Sequence, residues 1–483
     1  MKKNSLLMII YEILGLIVPL ILTPYLSRKL GASGVGLYSY TYSIALYFVI
    51  FIQLGVKLYG KREIAKVNDD KEKYSPVFLE IFFVQLFLFF VVAIVYAGFI
   101  SLAFSDESIK TGLALQSVEL VVGLLDISWF LFGLERFKSI VIRNCIVRIL
   151  EIVLVFALIH DSDDAYIYIV IMAVSNLAGA LSMWVEVKRT IVFKLPGWSP
   201  IRKRILPLLQ LFIPVLSTQI FSIVDKTIIG SFLDVEHVGY YENAYKIAKV
   251  PVVFITAIGN VMLPRMTKLI ADGEIESSRM YMRKSMSIIV MTTSAIAFGL
   301  ASVSDTFMPL YLGAGFEESI GLMAILAFML IFIGWGNVLR TQYMLPVGYD
   351  GLYTRSVVYS SISNVVISAA LVLPFGTYGV AIASLVCEII ICVYSTWKLR
   401  KELPINVFLK DNLRYVIVGL IMFSAVRATN HSIKGNNLLV LIIEILVGAI
   451  TYLGLILVLE MFGKNKIIIP EVKNTMNKLR GNK

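Results

Sequence analysis

The chain has 483 residues, of which 58% are hydrophobic and only 16% are charged, and its formal net charge is +11. This composition excludes an ordinary soluble globular protein, in which about one residue in four is charged. No zinc-ligand spacing or RNA-binding motif accompanies the positive charge, so nucleic acid is not an expected partner. The excess of basic residues is instead typical of loops that lie beside anionic lipid headgroups.

Fourteen apolar runs cover most of the chain, and a helix needs about 20 mostly apolar residues to cross a bilayer. The runs are continuous and do not alternate with a period of two, which favours helices over a membrane β-barrel. The sequence therefore predicts an all-α polytopic membrane protein. The predicted spans are Leu6–Leu26, Leu37–Val56, Val77–Ala103, Leu113–Phe132, Ile140–Ile159, Ala165–Val185, Ile205–Ile229, Val238–Met262, Ser285–Ser304, Ile320–Leu339, Thr354–Leu373, Tyr378–Trp397, Leu413–Ala428 and Leu438–Phe462.

Basic residues concentrate in alternate loops, which sets the expected orientation. Six lie between residues 57 and 73 and six more between 188 and 204, whereas the opposite loops hold only Arg28, Lys29, Lys110 and Lys434. Because cytoplasmic loops are enriched in Lys and Arg, both termini are predicted to be cytoplasmic. We expect a multi-pass membrane protein.

Two segments 203 residues apart resemble one another. Val35–Ile44 and Val238–Ile247 share a Val-Gly pair, two tyrosines and an isoleucine in register. An internal duplication of six helices predicts two bundles in the same membrane orientation, as in parallel-repeat transporters. The predicted boundaries are 1–187 for the first bundle, 188–204 for a cytoplasmic linker, 205–398 for the second bundle, 399–463 for helices 13 and 14, and 464–483 for a basic cytoplasmic tail.

Basic residues inside predicted spans suggest a cationic cavity, because a charge at membrane depth is costly and usually functional. Lys246 and Lys249 share one face of helix 8 near its middle, and Lys226 lies in helix 7. Together they could bind a phosphate group. The alternative is local pairing, since Glu242 lies one turn before Lys246 and Asp225 is adjacent to Lys226.

Other charged residues inside the spans allow more than one reading. Arg148 is a further candidate for the cationic cavity, although Glu151 lies one turn away and favours a buried salt bridge. Acidic residues could carry a proton or a coupling cation, or face water. The candidates for ion coupling are Asp225, Glu12, Glu119, Asp126 and Glu388. No P-loop, metal motif or cofactor motif is present, so neither ATP hydrolysis nor a cofactor is expected.

The stretch TPYLSRKLGASGVGLYSYTYSIALYF, followed by QLGVKLYGKREIAK, resembles the polysaccharide transporters, which are flippases of O-antigen and capsule repeat units. The stretch DKTIIGSFLDVEHVGYYENAYKIAKVP in the second half resembles them too. The resemblance implies the multidrug/oligosaccharidyl-lipid/polysaccharide flippase superfamily, with two six-helix bundles in a MATE-like V shape. It also implies alternating-access transport of undecaprenyl-diphosphate-linked oligosaccharide across the bacterial cytoplasmic membrane, and a groove for the lipid tail at helices 13 and 14.

Three rival functions stay open on the sequence. A lipid II flippase would use the same mechanism, and a multidrug antiporter driven by protons or sodium would use the scattered acids. A membrane glycosyltransferase or polymerase would need catalytic acids in an outer loop, where Asp161, Asp163 and Asp164 form the one cluster. A solvated loop explains that cluster better, so no enzyme activity is expected. The predicted partners are the lipid-linked oligosaccharide, membrane lipids and a repeat-unit polymerase.

Overall fold

The computed structural model describes residues 2–67, 70–433 and 436–462, and the predicted basic tail 464–483 lies outside them. The described residues form helices joined by short connections and contain no strand. A short 3-10 turn covers Ser162–Asp164, and a π-helical turn covers Arg340–Met344. The α-helices are α1 Lys2–Gln53, α2 Val56–Lys66, α3 Lys71–Ala103, α4 Glu107–Leu125, α5 Ser128–Gly133, α6 Phe137–Leu158, α7 Ala165–Thr190, α8 Trp198–Phe232, α9 Val235–Lys249, α10 Val252–Ala271, α11 Ile275–Leu312, α12 Glu317–Ala327, α13 Met329–Leu339, α14 Leu345–Val347, α15 Asp350–Leu399, α16 Ile405–Ser432 and α17 Asn437–Phe462.

The prediction of an all-helical membrane protein is confirmed, since the predicted spans fall on helix apart from breaks of one or two residues. Within the described ranges, nine segments are long and apolar enough to cross a membrane. Two of the nine, Ile17–Lys66 and Asp350–Leu399, are 50 residues long. The second contains two predicted spans, and the first contains one and the end of another. The predicted spans on α6, α8 and α16 are helical but lie outside those nine segments. The count of fourteen therefore stays a prediction.

Glycines break the two longest helices where the sequence predicts loops. Gly31 interrupts α1 with φ 66° and ψ −176°, and Gly376 interrupts α15 with φ 58° and ψ −143°. Only glycine adopts a positive φ of this kind without a steric penalty from Cβ. Each break lies between two predicted spans, which therefore follow one another with almost no loop.

The chain folds as two compact units, Met1–Glu242 and Asn243–Lys483. In the first unit, α4 packs against α1 and α7, and α6 packs against the same two helices. Its apolar core includes Phe78, Trp129 and Phe130, all almost fully buried, whereas Phe87 and Ile94 on α3 stay exposed. Exposed apolar side chains on an outward helix face are expected where a helix contacts lipid.

Arg204 secures the start of α8 within the first unit. Its Nε atom donates to Glu80 Oε2 at 2.7 Å, and its Nη1 atom donates to Tyr59 Oη at 3.1 Å and Glu63 Oε2 at 3.2 Å. Those partners belong to α2 and α3. Of the predicted linker 188–204, only residues 191–197 lie outside a helix. The predicted domain boundaries themselves stay predictions.

The two similar sequence segments contact each other reciprocally within the first unit. A Cβ atom added to Gly36 would lie 1.6 Å from the carbonyl oxygen of Val235, and one added to Gly239 would lie 2.0 Å from that of Ala32. Ala32 and Val235 are separated by 203 residues, as are Gly36 and Gly239. Contacts in which residue i of one copy meets j of the other, and j meets i, are characteristic of two-fold symmetry. This geometry supports the predicted duplication.

In the second unit, α11 is the central helix. It packs against α12, α13, α16 and α17, and α15 packs against α12 and α13. Helices 13 and 14 of the sequence analysis are α16 and α17, and their inner faces share an apolar core with Phe298 of α11. The Tyr452 hydroxyl donates to the Met291 carbonyl oxygen at 2.7 Å. The appended helix pair is therefore an integral part of this unit.

Candidate functional site

A polar cavity of about 530 Å³ lies inside the first unit. This volume is within the range of about 300–1,000 Å³ that is usual for ligand sites. Its polar side chains come from α1, α2 and α4–α8, so the cavity depends on the packing of the whole bundle. The polar lining residues are Tyr42, Gln53, Lys57, Glu119, Asp126, Ser128, Arg143, Asn144, Arg148, Ser175, Asn176 and Gln219.

Glu119 is the most buried acid of this lining, at 4% relative exposure. It lies on α4, and the Asn176 amide of α7 donates to its Oε1 atom at 2.9 Å. A carboxylate in a membrane interior is stable only when it is paired, hydrogen-bonded or protonated. The Asn176 contact satisfies one oxygen, and the carboxyl group borders the cavity.

Arg148 lines the same cavity from α6 and forms the salt bridge that its spacing predicts. Its Nη1 atom lies 2.5 Å from Glu151 Oε2, and the Arg148 side chain is 38% exposed while that of Glu151 is 3% exposed. A guanidinium group has five N–H donors. Its lining position therefore leaves it able to bind an anionic group as well as Glu151.

Asp126 also lines the cavity, but it is neutralised by a basic partner. Lys57 Nζ lies 3.1 Å from Asp126 Oδ2, and the Ser128 backbone N–H donates to Oδ1 at 3.0 Å. The second contact satisfies the backbone N–H of the first residue of α5. Asp126 thus links α2, α4 and α5 at one end of the cavity.

The predicted residues of helices 7 and 8 divide between the two units. Lys226 pairs with Glu242 at 3.2 Å, and both side chains are nearly buried, while Asp225 accepts a hydrogen bond from the Tyr241 hydroxyl at 2.6 Å. These four residues belong to the first unit but do not line its cavity. Pairing is thus present, but with other partners than the sequence suggested: Glu242 pairs with Lys226, and Asp225 accepts from a tyrosine.

Lys246, Lys249 and Glu388 lie in the second unit. Lys249 Nζ lies 4.5 Å from the centre of the Tyr245 ring, a cation–π distance. Glu388 is 7% exposed and interacts electrostatically with Arg340 and Lys249. Arg340 begins the π-helical turn, and such turns are frequent at functional sites. The side chain of the remaining acidic candidate, Glu12, lies outside the described residues.

Sequence reasoning missed Arg143, Asn144, Lys57 and Arg340 as site residues. Arg143 and Asn144 lie near the start of α6, where a basic residue is normally a topological signal. Asn144 does lie one turn before Arg148 on the same face, which is a usable signal. Lys57 is distant in sequence from Asp126, and no local pattern links the two.

A polytopic helical protein with a charged cavity inside a helix bundle defines the class of membrane transporters. The sequence model of the family described as "Polysaccharide biosynthesis protein" matches residues 1–270 of the chain. The chain belongs to this family, as the resemblance of its N-terminal stretch predicts.

Named relatives point the same way. The chain is 21% identical to the "Putative O-antigen transporter" of Escherichia coli (strain K12), over 81% of this chain and 94% of that protein. It is 23% identical to the "Probable low-salt glycan biosynthesis flippase Agl15" of Haloferax volcanii, over 48% of this chain and 49% of that protein. These relatives are named as a transporter and a flippase, not as enzymes.

Solved structures share the fold. The "Lipid II flippase MurJ" in an inward closed conformation matches with a TM-score of 0.74 and 18% identity, over 94% of this chain and 98% of that chain. An inward-facing multidrug resistance MATE family transporter matches with a TM-score of 0.58 and 15% identity, over 78% of this chain and 94% of that chain. The predicted MATE-like fold is thereby confirmed.

Proposed function

We propose that this protein is a flippase that moves undecaprenyl-diphosphate-linked oligosaccharide repeat units across the cytoplasmic membrane by alternating access. The observation that carries the proposal is that a chain of the polysaccharide biosynthesis family has a charged cavity inside its first helix bundle. The product would serve capsule, O-antigen or other exopolysaccharide synthesis. The comparisons do not favour a multidrug antiporter or a lipid II flippase, because at their low identity the matching structures carry the fold alone.

The physical reason for such a cavity is the chemistry of the cargo. A diphosphate-linked glycan cannot enter hydrocarbon, because its charges and hydroxyl groups would lose their hydration. Arg143, Arg148, Lys57, Asn144 and Asn176 supply donors for phosphate and sugar oxygens in the cavity. Lys226, Lys246 and Lys249 are proposed as further cationic contacts along the transport route.

The remaining features of the proposal follow from the sequence. Both termini lie in the cytoplasm, and the protein has no enzymatic step of its own. Glu119 is the proposed coupling group for a proton or a cation, because it is the most buried acid of the cavity lining. Asp126, which pairs with Lys57, and Asp225 and Glu388, which do not line this cavity, stay secondary candidates. A repeat-unit polymerase that removes the exported product is the proposed downstream partner.

The polyprenyl tail is proposed to remain in lipid beside α16 and α17. The outer face of α17 is apolar and exposed at Leu446, Ile450 and Leu453. Gly454 has no side chain and open space around it, which leaves a shallow depression in this face. Gly448 packs against Val426 of α16. This face offers an apolar path for the tail while the diphosphate and the glycan occupy the protein interior.

A genetic complementation experiment tests the proposed function. The chain is expressed in a bacterium that lacks its own repeat-unit flippase, and surface polysaccharide and the lipid-linked intermediate are measured. We expect restored surface polysaccharide and loss of the accumulated intermediate. Accumulation that persists across hosts with different repeat units, with the protein present in the membrane, would contradict the proposal.

Glu119→Gln is expected to reduce gradient-driven flipping by roughly tenfold, a typical size for coupling between two bound species. Glutamine can still accept the Asn176 hydrogen bond, so folding should persist, but it cannot exchange a proton or bind a cation as a carboxylate does. The measurement is flipping in proteoliposomes with and without an imposed ion gradient. Glu107→Gln, at the exposed start of the same helix, is the control. An undiminished response to the gradient in Glu119→Gln would exclude Glu119 from coupling.

Lys246→Ala and Lys249→Ala are each expected to lower export per molecule by roughly 10- to 100-fold, the equivalent of one lost charged hydrogen bond. The reason is their shared position on one face of α9. Export is normalised to protein abundance in the membrane, and Lys268→Ala on the exposed face of α10 is the control. Normal export per molecule combined with reduced abundance would assign both lysines a structural role.

A further inference from the structure

The second unit contains an apolar groove of about 1,210 Å³ where α15 ends and α16 begins. Its floor includes Val290 of α11 and Trp335 of α13. Large apolar side chains on its walls are exposed, with Val393 at 57% and Leu413 at 59% relative exposure. The groove is larger than the roughly 300–1,000 Å³ of usual small-molecule sites, and its size and apolar walls suit a lipid chain.

Three cations form the rim of this groove: Arg400, Lys401 and Lys410. All three are exposed, and none forms an ion pair with an acidic residue in the described ranges. Arg400 lies over the Trp397 ring at 5.1 Å, and tryptophan is typical of the membrane–water interface. An apolar groove capped by cations at the interface matches a molecule that carries a phosphate above hydrocarbon chains.

The acids near the rim have other partners. Glu402 accepts hydrogen bonds from the hydroxyls of Tyr343 at 2.7 Å and Tyr349 at 3.4 Å. Asp411 Oδ2 pairs with Arg283 Nε at 2.5 Å. The rim therefore keeps a net positive charge that is available to an anion from the bilayer.

We propose that this groove binds an anionic phospholipid of the inner leaflet, with its phosphate at Arg400, Lys401 and Lys410 and an acyl chain along Val393 and Leu413. Basic pockets between helices on the cytoplasmic side of membrane proteins bind anionic headgroups in this way. The proposal depends on the inner location of the α15–α16 connection and is independent of the cargo. The bound lipid holds the end of α15 against the start of α16 and stabilises the second unit.

The test measures the thermal stability of the purified full chain in detergent, with phosphatidylglycerol or phosphatidylcholine of the same acyl chains added. Phosphatidylglycerol should raise the apparent Tm by at least about 2 °C more than phosphatidylcholine. The triple variant Arg400→Gln, Lys401→Gln, Lys410→Gln should lose this difference. A control that removes the same charge from exposed positions elsewhere, Arg202→Gln, Lys203→Gln, Lys268→Gln, should keep it.

Leu413→Trp fills the groove without changing charge and should also reduce the shift. Because Leu413 is exposed, Leu413→Trp is expected to fold normally. It therefore serves as the test if the triple variant does not fold. An equal phosphatidylglycerol effect in wild type and Leu413→Trp, or in wild type and a folded triple variant, would overturn the proposal. Stabilisation by a polyprenyl diphosphate but not by phosphatidylglycerol would also overturn it, and would assign the groove to the carrier lipid. Neither outcome bears on whether the protein flips glycans.

Discussion

Replacing Arg148 by glutamine is expected to reduce glycan export by roughly 10- to 100-fold per molecule, because it removes a charged donor from the cavity. It should also destabilise the first unit by about 1–3 kcal/mol, because Glu151 would keep a buried carboxylate without its partner. Export is measured as surface polysaccharide per unit of membrane protein, and stability as thermal unfolding in detergent.

The double variant Arg148→Gln, Glu151→Gln separates the two effects. Removing both charges leaves no unpaired carboxylate, so the stability should return close to that of the wild type. Export should stay low, because the guanidinium remains absent. If the double variant exports normally per molecule, the pair has only a structural role and Arg148 does not bind cargo.

Gly36→Ala is expected to be the most destabilising single-methyl change in the first unit. The added Cβ would lie 1.6 Å from a backbone oxygen and 2.7 Å from the backbone carbonyl carbon of Val235, neither of which can rotate away. Overpacking of this kind costs about 1–3 kcal/mol or more, so the Tm should fall by at least about 2–4 °C. Gly239→Ala should have a similar effect, because its contact with Ala32 is the reciprocal one.

Gly98→Ala provides the matched control for both glycine variants. Gly98 lies within α3, and a Cβ added there meets no atom within 4 Å. Its stability should be unchanged or slightly increased, since alanine is the better helix former. If Gly36→Ala behaves like Gly98→Ala in thermal unfolding, the close contact between the two similar segments does not exist in the membrane protein.

The helices were predictable because long apolar runs have few alternative structures in a bilayer. The sequence also predicted loops over the residues that include Gly31 and Gly376, although it did not reveal that each lies within a nearly continuous helical segment. The Arg148–Glu151 pair was predictable because residues three apart share a helix face. Local spacing was therefore informative wherever both partners belong to one helix.

Contacts between helices could not be predicted in the same way. The Lys57–Asp126 and Asn176–Glu119 contacts depend on how α2, α4 and α7 pack, which no local pattern specifies. Arg340 was missed because a π-helical turn has no signature in hydropathy. The pairing of Lys226 with Glu242 also depends on how neighbouring helices pack, so the sequence did not reveal it. The candidate cavity thus required the tertiary structure.

Reconstitution gives the most direct test of the central claim. The purified chain is placed in proteoliposomes that contain a fluorescent polyprenyl-diphosphate oligosaccharide, and access of an impermeant quencher or glycosidase to the outer leaflet is followed over time. We predict that the wild-type chain moves the labelled lipid between leaflets, and that the stable Arg148→Gln, Glu151→Gln variant does so at least about tenfold more slowly. Equal rates in liposomes with wild-type protein and in protein-free liposomes would contradict the proposed flippase function.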